Sequence, residues 1–189
     1  MPLELLNRLP DLTTLDNLSD KELLDLANEF FEVQAYDRQV NQLRYYLPVS
    51  EKAIGIHCSK AKVLGVGGGN GASKTDTALV EMVIRATGQI PQSLRAVYPR
   101  DKLRGPINCR VVVESITNTL ETIILPKLQW WKWQGVDEPG GPRGHFGWIP
   151  KHCLLKGEWD ASWTARTRTL EVTYRDPDTD QPRGISRIQ

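Results

Sequence analysis

Glycine dominates a short stretch in the first half of the chain, where residues 67–75 read Gly-Gly-Gly-Asn-Gly-Ala-Ser-Lys-Thr. The pattern G-x-x-x-x-G-K-[ST] fits this stretch with Gly68 as its first glycine, Lys74 as its lysine and Thr75 as its hydroxyl residue. Ser73 stands where the second glycine of the pattern belongs. Glycine presents no Cβ, so such a loop lets several backbone N–H groups converge on an anion. The stretch therefore predicts a phosphate-binding loop, with a plain glycine-rich turn as the alternative.

The residues on either side of the loop support the first interpretation. Residues 61–67 are rich in valine and leucine and predict a short buried strand that ends in glycine. Residues 75–87 carry apolar side chains at helical spacing, and Gly88 is a natural position for the helix to end. A strand before the loop and a helix after it are the context that phosphate binding requires, because the helix adds its positive N-terminal end.

Two side chains of the loop indicate its chemistry. Lys74 would reach the β- and γ-phosphates of a nucleoside triphosphate, and we expect this side chain to be exposed in the empty site. Thr75 would give its hydroxyl to Mg²⁺, so Lys74 and Thr75 are the predicted catalytic residues and Thr75 is the predicted metal ligand. The residues predicted to bind ATP and Mg²⁺ are Gly68, Gly69, Asn70, Gly71, Ala72, Ser73, Lys74 and Thr75.

The rest of the chain predicts an α/β fold. Residues 109–114 contain three consecutive valines and predict a second buried strand. A helix capped by Ser115 or Thr117 follows, and Pro126 should kink or restart it. Residues 169–174 alternate apolar and polar side chains and predict a third strand. Strands alternating with helices are typical of a parallel sheet flanked by helices, so we predict a fold of the P-loop NTPase type.

The beginning of the chain predicts a separate helical segment. Ser19 and Glu22 form a capping-box pattern ahead of apolar residues at helical spacing, which predicts a helix over residues 20–32. We therefore expect residues 1–45 to form a helical N-terminal appendage and residues 46–189 to form the nucleotide-binding domain.

Composition excludes several classes of protein. The chain carries 24 Lys and Arg residues against 23 Asp and Glu residues, a formal net charge of +1, which excludes a strongly basic nucleic-acid coat. No apolar run approaches the ~18 residues that span a bilayer, and residues 1–10 lack the features of a secretory signal. We expect a cytoplasmic protein without membrane contact. Cys58, Cys109 and Cys153 are too far apart for a zinc-binding or disulfide pattern.

A cluster of basic residues follows the helix over residues 75–87. It comprises Arg95, Arg100, Lys102 and Arg104, with Asp101 as the only acid among them. Contact with DNA phosphates is one interpretation, and a solvated surface loop is the interpretation we prefer.

Several short motifs of the chain occur together in one protein family. They are Tyr45-Tyr46-Leu47-Pro48, Ile56-His57-Cys58-Ser59, the loop at residues 68–75, and Thr87-Gly88-Gln89-Ile90-Pro91. With this combination, residues 45–174 resemble the N-terminal ATPase region of the large subunit of a tailed-phage terminase.

The resemblance implies a viral genome-packaging motor. Such a motor hydrolyses ATP with Mg²⁺ to drive double-stranded DNA into a procapsid, and it works in the cytoplasm of the bacteriophage's host. The resemblance implies a portal protein and a small terminase subunit as partners, and a homo-oligomeric ring as the working form. A metal-dependent nuclease domain usually follows the ATPase region in this family, and we expect no part of it within these 189 residues.

Three other features of the family have no evident counterpart in this chain. Residues 50–52 are Ser-Glu-Lys where the family commonly places a glutamine for adenine recognition. The loop at residues 68–73 contains no arginine, so we assign no arginine finger. A hydrophobic strand ending in Asp-Glu, the second acidic motif of the family, is not evident either.

Hydrolysis needs one carboxylate near Mg²⁺ and another that orients the attacking water. Glu114 ends a predicted strand but supplies only one acid, and Asp137 and Glu138 form a pair without a strand before them. We prefer a third interpretation, in which the chain is a truncated product or fragment that ends at Gln189 ahead of the acidic strand. ATPase activity of this chain alone therefore stays open.

Three other functions are compatible with the residues. The first is a nucleotide-binding module without turnover, because the acidic pair is not evident. The second is a small phosphotransferase, for which the glycine-rich residues 134–147 are the only candidate lid. The third is an interaction protein in which the glycines merely form a turn.

Overall fold

The computed structural model describes residues 18–67, 73–129 and 146–189. The chain divides into two compact units, residues 1–39 and residues 40–189. This division does not test the predicted boundary between residues 45 and 46, which stays a prediction. No described helix combines the length and the apolar character needed to cross a membrane.

Helix α1 spans Asp20–Val40 and begins at the predicted capping box. Ser19 N donates to Glu22 Oε2 across 2.9 Å, and Glu22 N donates to Ser19 Oγ across 3.4 Å. These reciprocal hydrogen bonds satisfy two N–H groups at the helix start. The Ser19 hydroxyl, which donates to Glu22 Oε2 across 2.7 Å, and Ser19 N lower the pKa of Glu22, because they favour its charged form. The helix is confirmed and is longer than the predicted residues 20–32. None of its own residues is buried.

Helix α2 spans Glu51–Cys58 and follows a 3₁₀ turn at Gln42–Tyr45. Ser50 caps it by accepting a hydrogen bond from Ala53 N across 3.3 Å. Ala53 and His57 are its buried residues. Because His57 lies in the last turn of α2, this short helix brings an imidazole into the interior of the fold.

Helix α3 spans Lys74–Thr87 and confirms the helix predicted after the glycine-rich stretch. It ends at Gly88, which adopts the left-handed conformation with φ of 75° and donates its N–H to Ile84 O. A Cβ at this position would lie 1.9 Å from Arg175 O. Glycine is therefore required here both by the helix C-cap and by the close approach of strand β3.

The described strands form one mixed sheet with the order β1-β4-β3-β2. The strands are β1 (Asn108–Cys109), β2 (Trp163–Thr164), β3 (Thr169–Arg175) and β4 (Pro182–Ile188). β1 and β4 are parallel, whereas β4–β3 and β3–β2 are antiparallel pairs. α3 packs against β1, β3 and β4 and places Leu79, Val80, Val83 and Ile84 in the core. The α/β class is therefore confirmed, with helices flanking the sheet.

The prediction of an all-parallel sheet is wrong for the described strands. β3 and β4 form an antiparallel hairpin, with Val172 opposite Ser186, and β4 was not predicted at all. Pro182 and Gly184 are unfavourable in strands, and the segment is polar, so its composition indicated turns. β4 holds a place in the sheet through backbone pairing on both sides.

Two predicted buried strands are also wrong in the described chain. Residues 61–67 form no strand and are exposed, with Val63 at 89%. Of residues 109–114, only Cys109 belongs to a strand, and Val112 is 86% exposed. An apolar strand is buried only where neighbouring strands and helices cover it, and β1 lies at the edge of this sheet with β4 as its neighbour.

A π-helix at Ile116–Ile124 continues into the short α-helix α4 at Leu125–Gln129. Ser115 caps the π-helix by accepting a hydrogen bond from Asn118 N across 3.1 Å. The change in helix type occurs just before Pro126, which has no N–H to donate, and this confirms the predicted restart. The short α-helix α5 spans Trp159–Ser162.

The chain after residue 145 returns directly onto α4. Gly147 N donates to Gln129 O across 2.9 Å, and Trp148 N donates to Lys127 O across 2.9 Å. A Cβ on Gly147 would lie 2.3 Å from Lys127 O, so only glycine allows this approach. Gln129 and Gly147 are thereby held side by side, and Trp148 is fixed next to α4.

Candidate functional site

The predicted site residues within the described chain lie at the beginning of α3. Ser73 is the N-cap residue, and Lys74 and Thr75 are the first two residues of the helix. Thr75 is exposed, and Lys74 is half-buried rather than exposed as expected. Gly68, Gly69, Asn70, Gly71 and Ala72 lie outside the described residues, so their predicted role in binding stays a prediction.

Ser73 adopts the left-handed conformation, with φ of 51° and ψ of 25°. This is a conformation that glycine adopts easily and that costs other residues free energy. Ser73 occupies the position of the second glycine in the phosphate-binding pattern, so the backbone there has the conformation that glycine favours. Its carbonyl accepts from both Thr77 N at 2.9 Å and Thr77 Oγ1 at 3.0 Å, which fixes the start of the helix.

The first turn of α3 also holds an acidic residue paired with a lysine. Lys127 Nζ lies 2.7 Å from Asp76 Oδ1 and 2.8 Å from Oδ2. Trp148 Nε1 donates to Asp76 Oδ1 across 3.0 Å. The side chain of Lys127 is 35% exposed, and Trp148 is buried. Asp76 therefore joins the beginning of α3 to α4 and to the chain that returns after residue 145.

Tyr46 lies between this pair and a second polar cluster. Its ring packs edge-on against Trp148 with the ring centroids 5.5 Å apart. Its hydroxyl lies 3.1 Å from His57 Nε2 and 3.5 Å from Thr77 Oγ1. Burial raises the pKa of Tyr46 above its ordinary value.

Glu81 is the centre of the second cluster. His57 Nδ1 lies 3.0 Å from Glu81 Oε2, and Lys102 Nζ and Arg85 Nε lie 2.5 Å and 2.8 Å from Oε1. Tyr98 donates its hydroxyl to Oε1 across 3.2 Å. Burial alone would raise the pKa of Glu81, but hydrogen bonds from His57, Lys102 and Arg85 outweigh it, and the pKa lies below its ordinary value.

The hydrogen bonds of His57 define its tautomer. The carboxylate of Glu81 can only accept, so Nδ1 of His57 carries the proton in the neutral ring. Nε2 then accepts from the hydroxyl of Tyr46, which is within 3.1 Å. His57 is fully buried, and both of its ring nitrogens are satisfied in this arrangement.

Of the basic residues after α3, Arg95, Arg100 and Arg104 are exposed, as the interpretation of a solvated surface loop expects, whereas Lys102 is not. Lys102 has a side chain that is 7% exposed and pairs with Glu81, and it also donates to His57 O across 2.8 Å. Arg100 pairs with Asp178, and Arg104 Nε donates to Asp101 O across 3.1 Å. The preferred interpretation of a solvated loop is therefore wrong for Lys102, which is a structural cation of the Glu81 cluster.

The acidic residues considered for hydrolysis are not brought to the beginning of α3 as a pair. Glu114 is exposed in the chain after β1, and Asp137 and Glu138 lie outside the described residues. Within residues 18–67, 73–129 and 146–189, no group of three or more His, Cys, Asp or Glu side chains could hold a metal ion. Mg²⁺ in nucleotide sites is held largely by phosphate oxygens and water, so Thr75 stays its predicted protein ligand.

Sequence reasoning missed Asp76, Lys127, Trp148 and the Glu81 cluster. Asp76 directly follows the loop pattern, and an acid at that position was the one available signal. Lys127 and Trp148 are distant in sequence, and no spacing rule connects them to α3.

Comparison with protein-family models, curated proteins and solved structures found no match to the chain.

Proposed function

We propose that the chain binds ATP with Mg²⁺ through residues 68–75 and is the ATPase region of a terminase large subunit. The observation that carries this proposal is the position of Lys74 and Thr75, which open a 14-residue helix directly after the glycine-rich stretch. The first N–H groups of a helix have no acceptor within the helix and, with the helix dipole, favour a bound phosphate.

In this proposal each residue at the helix start has a separate task. Lys74 places its ammonium group on the β- and γ-phosphates, and Thr75 places its hydroxyl on Mg²⁺. Ser73 holds the turn into the helix in the conformation that the second glycine of the pattern would adopt. The hydrogen bonds of Thr77 to Ser73 O hold the start of the helix rigid. Less conformational entropy is then lost when the nucleotide binds there.

The motor function is proposed from the resemblance of residues 45–174. ATP turnover would drive double-stranded viral DNA into a procapsid, in a ring of identical subunits with a portal protein and a small terminase subunit. The host cytoplasm is the proposed location. Tyr46 and His57, which belong to the family-like motifs, pack behind α3, and this supports a role of those motifs in holding the phosphate-binding helix.

A second candidate function is nucleotide binding without turnover. The exposed position of Glu114 after an edge strand favours it, because hydrolysis needs carboxylates fixed beside Mg²⁺ and the attacking water. Mg²⁺-dependent phosphate release from ATP separates the two functions. Turnover supports the motor ATPase, and tight binding with no phosphate release supports the binding module.

The test of nucleotide binding is titration with a fluorescent ATP analogue in the presence of Mg²⁺. We expect Lys74→Ala to lower affinity at least about tenfold, since it removes a charged contact to the phosphates. Lys62→Ala is the matched control, because Lys62 is exposed a few residues before the loop. A folded Lys74→Ala variant that binds ATP as tightly as the wild-type chain would overturn the proposal.

A further inference from the structure

Lys127 contacts the first turn of α3, the turn to which Lys74 also belongs. Its ammonium group is within 2.8 Å of both carboxylate oxygens of Asp76, which follows Lys74 and Thr75 directly in the helix. The contact is long-range in sequence and is supported by the backbone bond from Trp148 N to Lys127 O. The position of this lysine is therefore fixed from both α4 and the returning chain.

Asp76 presents an electrostatic problem for a phosphate site. A carboxylate in the first turn of a helix is favoured by the helix dipole in the empty state. A polyphosphate bound at the same helix end would be repelled by that carboxylate. A cation paired with Asp76 removes the repulsion, and Lys127 is that cation.

We propose that Lys127 is a second phosphate-binding cation and that Asp76 is its counter-ion in the empty site, with which the phosphates compete for the ammonium group. This inference rests on the proposed function, and the ligand class is a nucleoside triphosphate. Lys127 is part-exposed and its ammonium group has three N–H donors, so it can donate to a phosphate oxygen while it stays next to Asp76.

Trp148 completes the arrangement. Its indole Nε1–H donates to Asp76 Oδ1 from a buried position. When Lys127 shares its donors with a phosphate, Asp76 still has this hydrogen bond. The Asp76 carboxylate therefore keeps a hydrogen-bond donor, and the movement of Lys127 toward the phosphate costs less free energy.

The experiment compares ATP affinity of Lys127→Gln, Asp76→Asn and the double variant with that of the wild-type chain. We expect Lys127→Gln to weaken ATP binding about tenfold, because a charged contact and the neutralisation of Asp76 are both lost. Asp76→Asn should tighten ATP binding severalfold, because it releases Lys127 toward the phosphates while its side-chain oxygen can still accept from Trp148. The double variant should bind more weakly than Asp76→Asn alone.

The double variant distinguishes a phosphate-binding lysine from one that only neutralises Asp76. If Lys127 only neutralises Asp76, the double variant binds ATP as tightly as Asp76→Asn, and the inference is overturned. Unchanged affinity in Lys127→Gln would overturn it as well. Adenosine affinity should be the same in all variants, because adenosine carries no phosphate. Lys52→Gln, on the exposed side of α2, is the control for loss of a lysine elsewhere.

Two further measurements keep the outcomes distinguishable. Lys127→Arg keeps the charge and should keep most of the affinity. If Lys127→Gln does not fold, the comparison of the double variant with Asp76→Asn carries the test, because neither variant leaves the Asp76 carboxylate without its cation. Absence of ATP binding in the wild-type chain, or binding that is insensitive to Lys74→Ala, would overturn the proposed function and with it the second cation. Binding that depends on Lys74 but not on Lys127 or Asp76 would overturn the second cation alone.

Discussion

The hydroxyl of Tyr46 lies 3.1 Å from Nε2 of His57, and the other ring nitrogen of this fully buried imidazole pairs with Glu81. The contact joins the chain before α2 to the last turn of α2. Through Glu81 it reaches the middle of α3, the helix that begins with Lys74 and Thr75. A buried polar chain of this kind fixes one helix against another, because a buried polar group that loses its partner has no water to replace it.

Tyr46→Phe should destabilise the fold by about 1–3 kcal/mol, because it leaves Nε2 of buried His57 without a donor. Urea-induced unfolding measures this free energy. Tyr36→Phe removes the same hydroxyl from an exposed residue of α1 and should change the free energy of unfolding by less than about 0.5 kcal/mol. Equal effects of the two variants would contradict the role assigned to the Tyr46 hydroxyl.

Glu81→Gln should cost about 3 kcal/mol of stability at pH 7, because it leaves the buried ammonium of Lys102 without its carboxylate. The pKa of Glu81 is lowered in the folded state, so its charge stabilises the fold above the unfolded-state pKa. That contribution is lost as the pH falls below about 4.3 and through the folded-state pKa.

The measurement is the free energy of unfolding of the wild-type chain and of Glu81→Gln between pH 7 and pH 3. The difference between the two should shrink toward the acidic end, where Glu81 becomes protonated and resembles glutamine. Glu114→Gln, at an exposed site, is the control and should show little difference at either pH. A difference that stays constant with pH would show that the Glu81 charge contributes nothing.

Ser73→Gly should stabilise the fold by about 0.5–1 kcal/mol, because it removes the strain of a side chain at φ of 51° and outweighs the entropy cost of glycine. Ser59→Gly, at φ of −67°, is the comparison and should destabilise, because glycine costs backbone entropy there and the hydrogen bond from Ala61 N to Ser59 Oγ is lost. Thermal unfolding of both variants gives the sign of each change. A loss of stability in both would mean that Ser73 is not strained.

Gly88→Ala should destabilise by more than about 2 kcal/mol, because its Cβ would lie 1.9 Å from Arg175 O and its φ is 75°. Gly55→Ala, inside α2 with open space around the new methyl, should stabilise by about 0.5–1 kcal/mol. Denaturant unfolding compares the pair. A tolerated Gly88→Ala would contradict the close packing of the α3 C-terminus on β3.

Local signals in the sequence predicted the helices at α1 and α3 and the strand β3. The capping box at Ser19 and Glu22 and the helix stop at Gly88 act within one or two turns, so they can be recognised without knowledge of the fold. The composition of residues 61–67 predicted burial, but burial depends on which elements come to cover a segment. β4 was missed because Ile188 alone of its residues belongs to the hydrophobic core, and its place in the sheet comes mainly from backbone pairing with β1 and β3.

The candidate site was predicted only where its residues are contiguous. Lys74 and Thr75 follow a spacing pattern, whereas Asp76 finds its partners 51 and 72 residues further along the chain. Glu81 collects its donors from α2, α3 and the chain after α3. Such contacts depend on the tertiary arrangement, and no periodicity of the chain carries that information.

The backbone hydrogen bonds from Gly147 and Trp148 to α4 determine where the partners of Asp76 lie. Because Gly147 N donates to Gln129 O and Trp148 N donates to Lys127 O, the two partners of Asp76 are bonded to each other as well as to Asp76. A side chain at Gly147 would collide with Lys127 O and break these hydrogen bonds, so that Lys127 and Trp148 could no longer both contact Asp76.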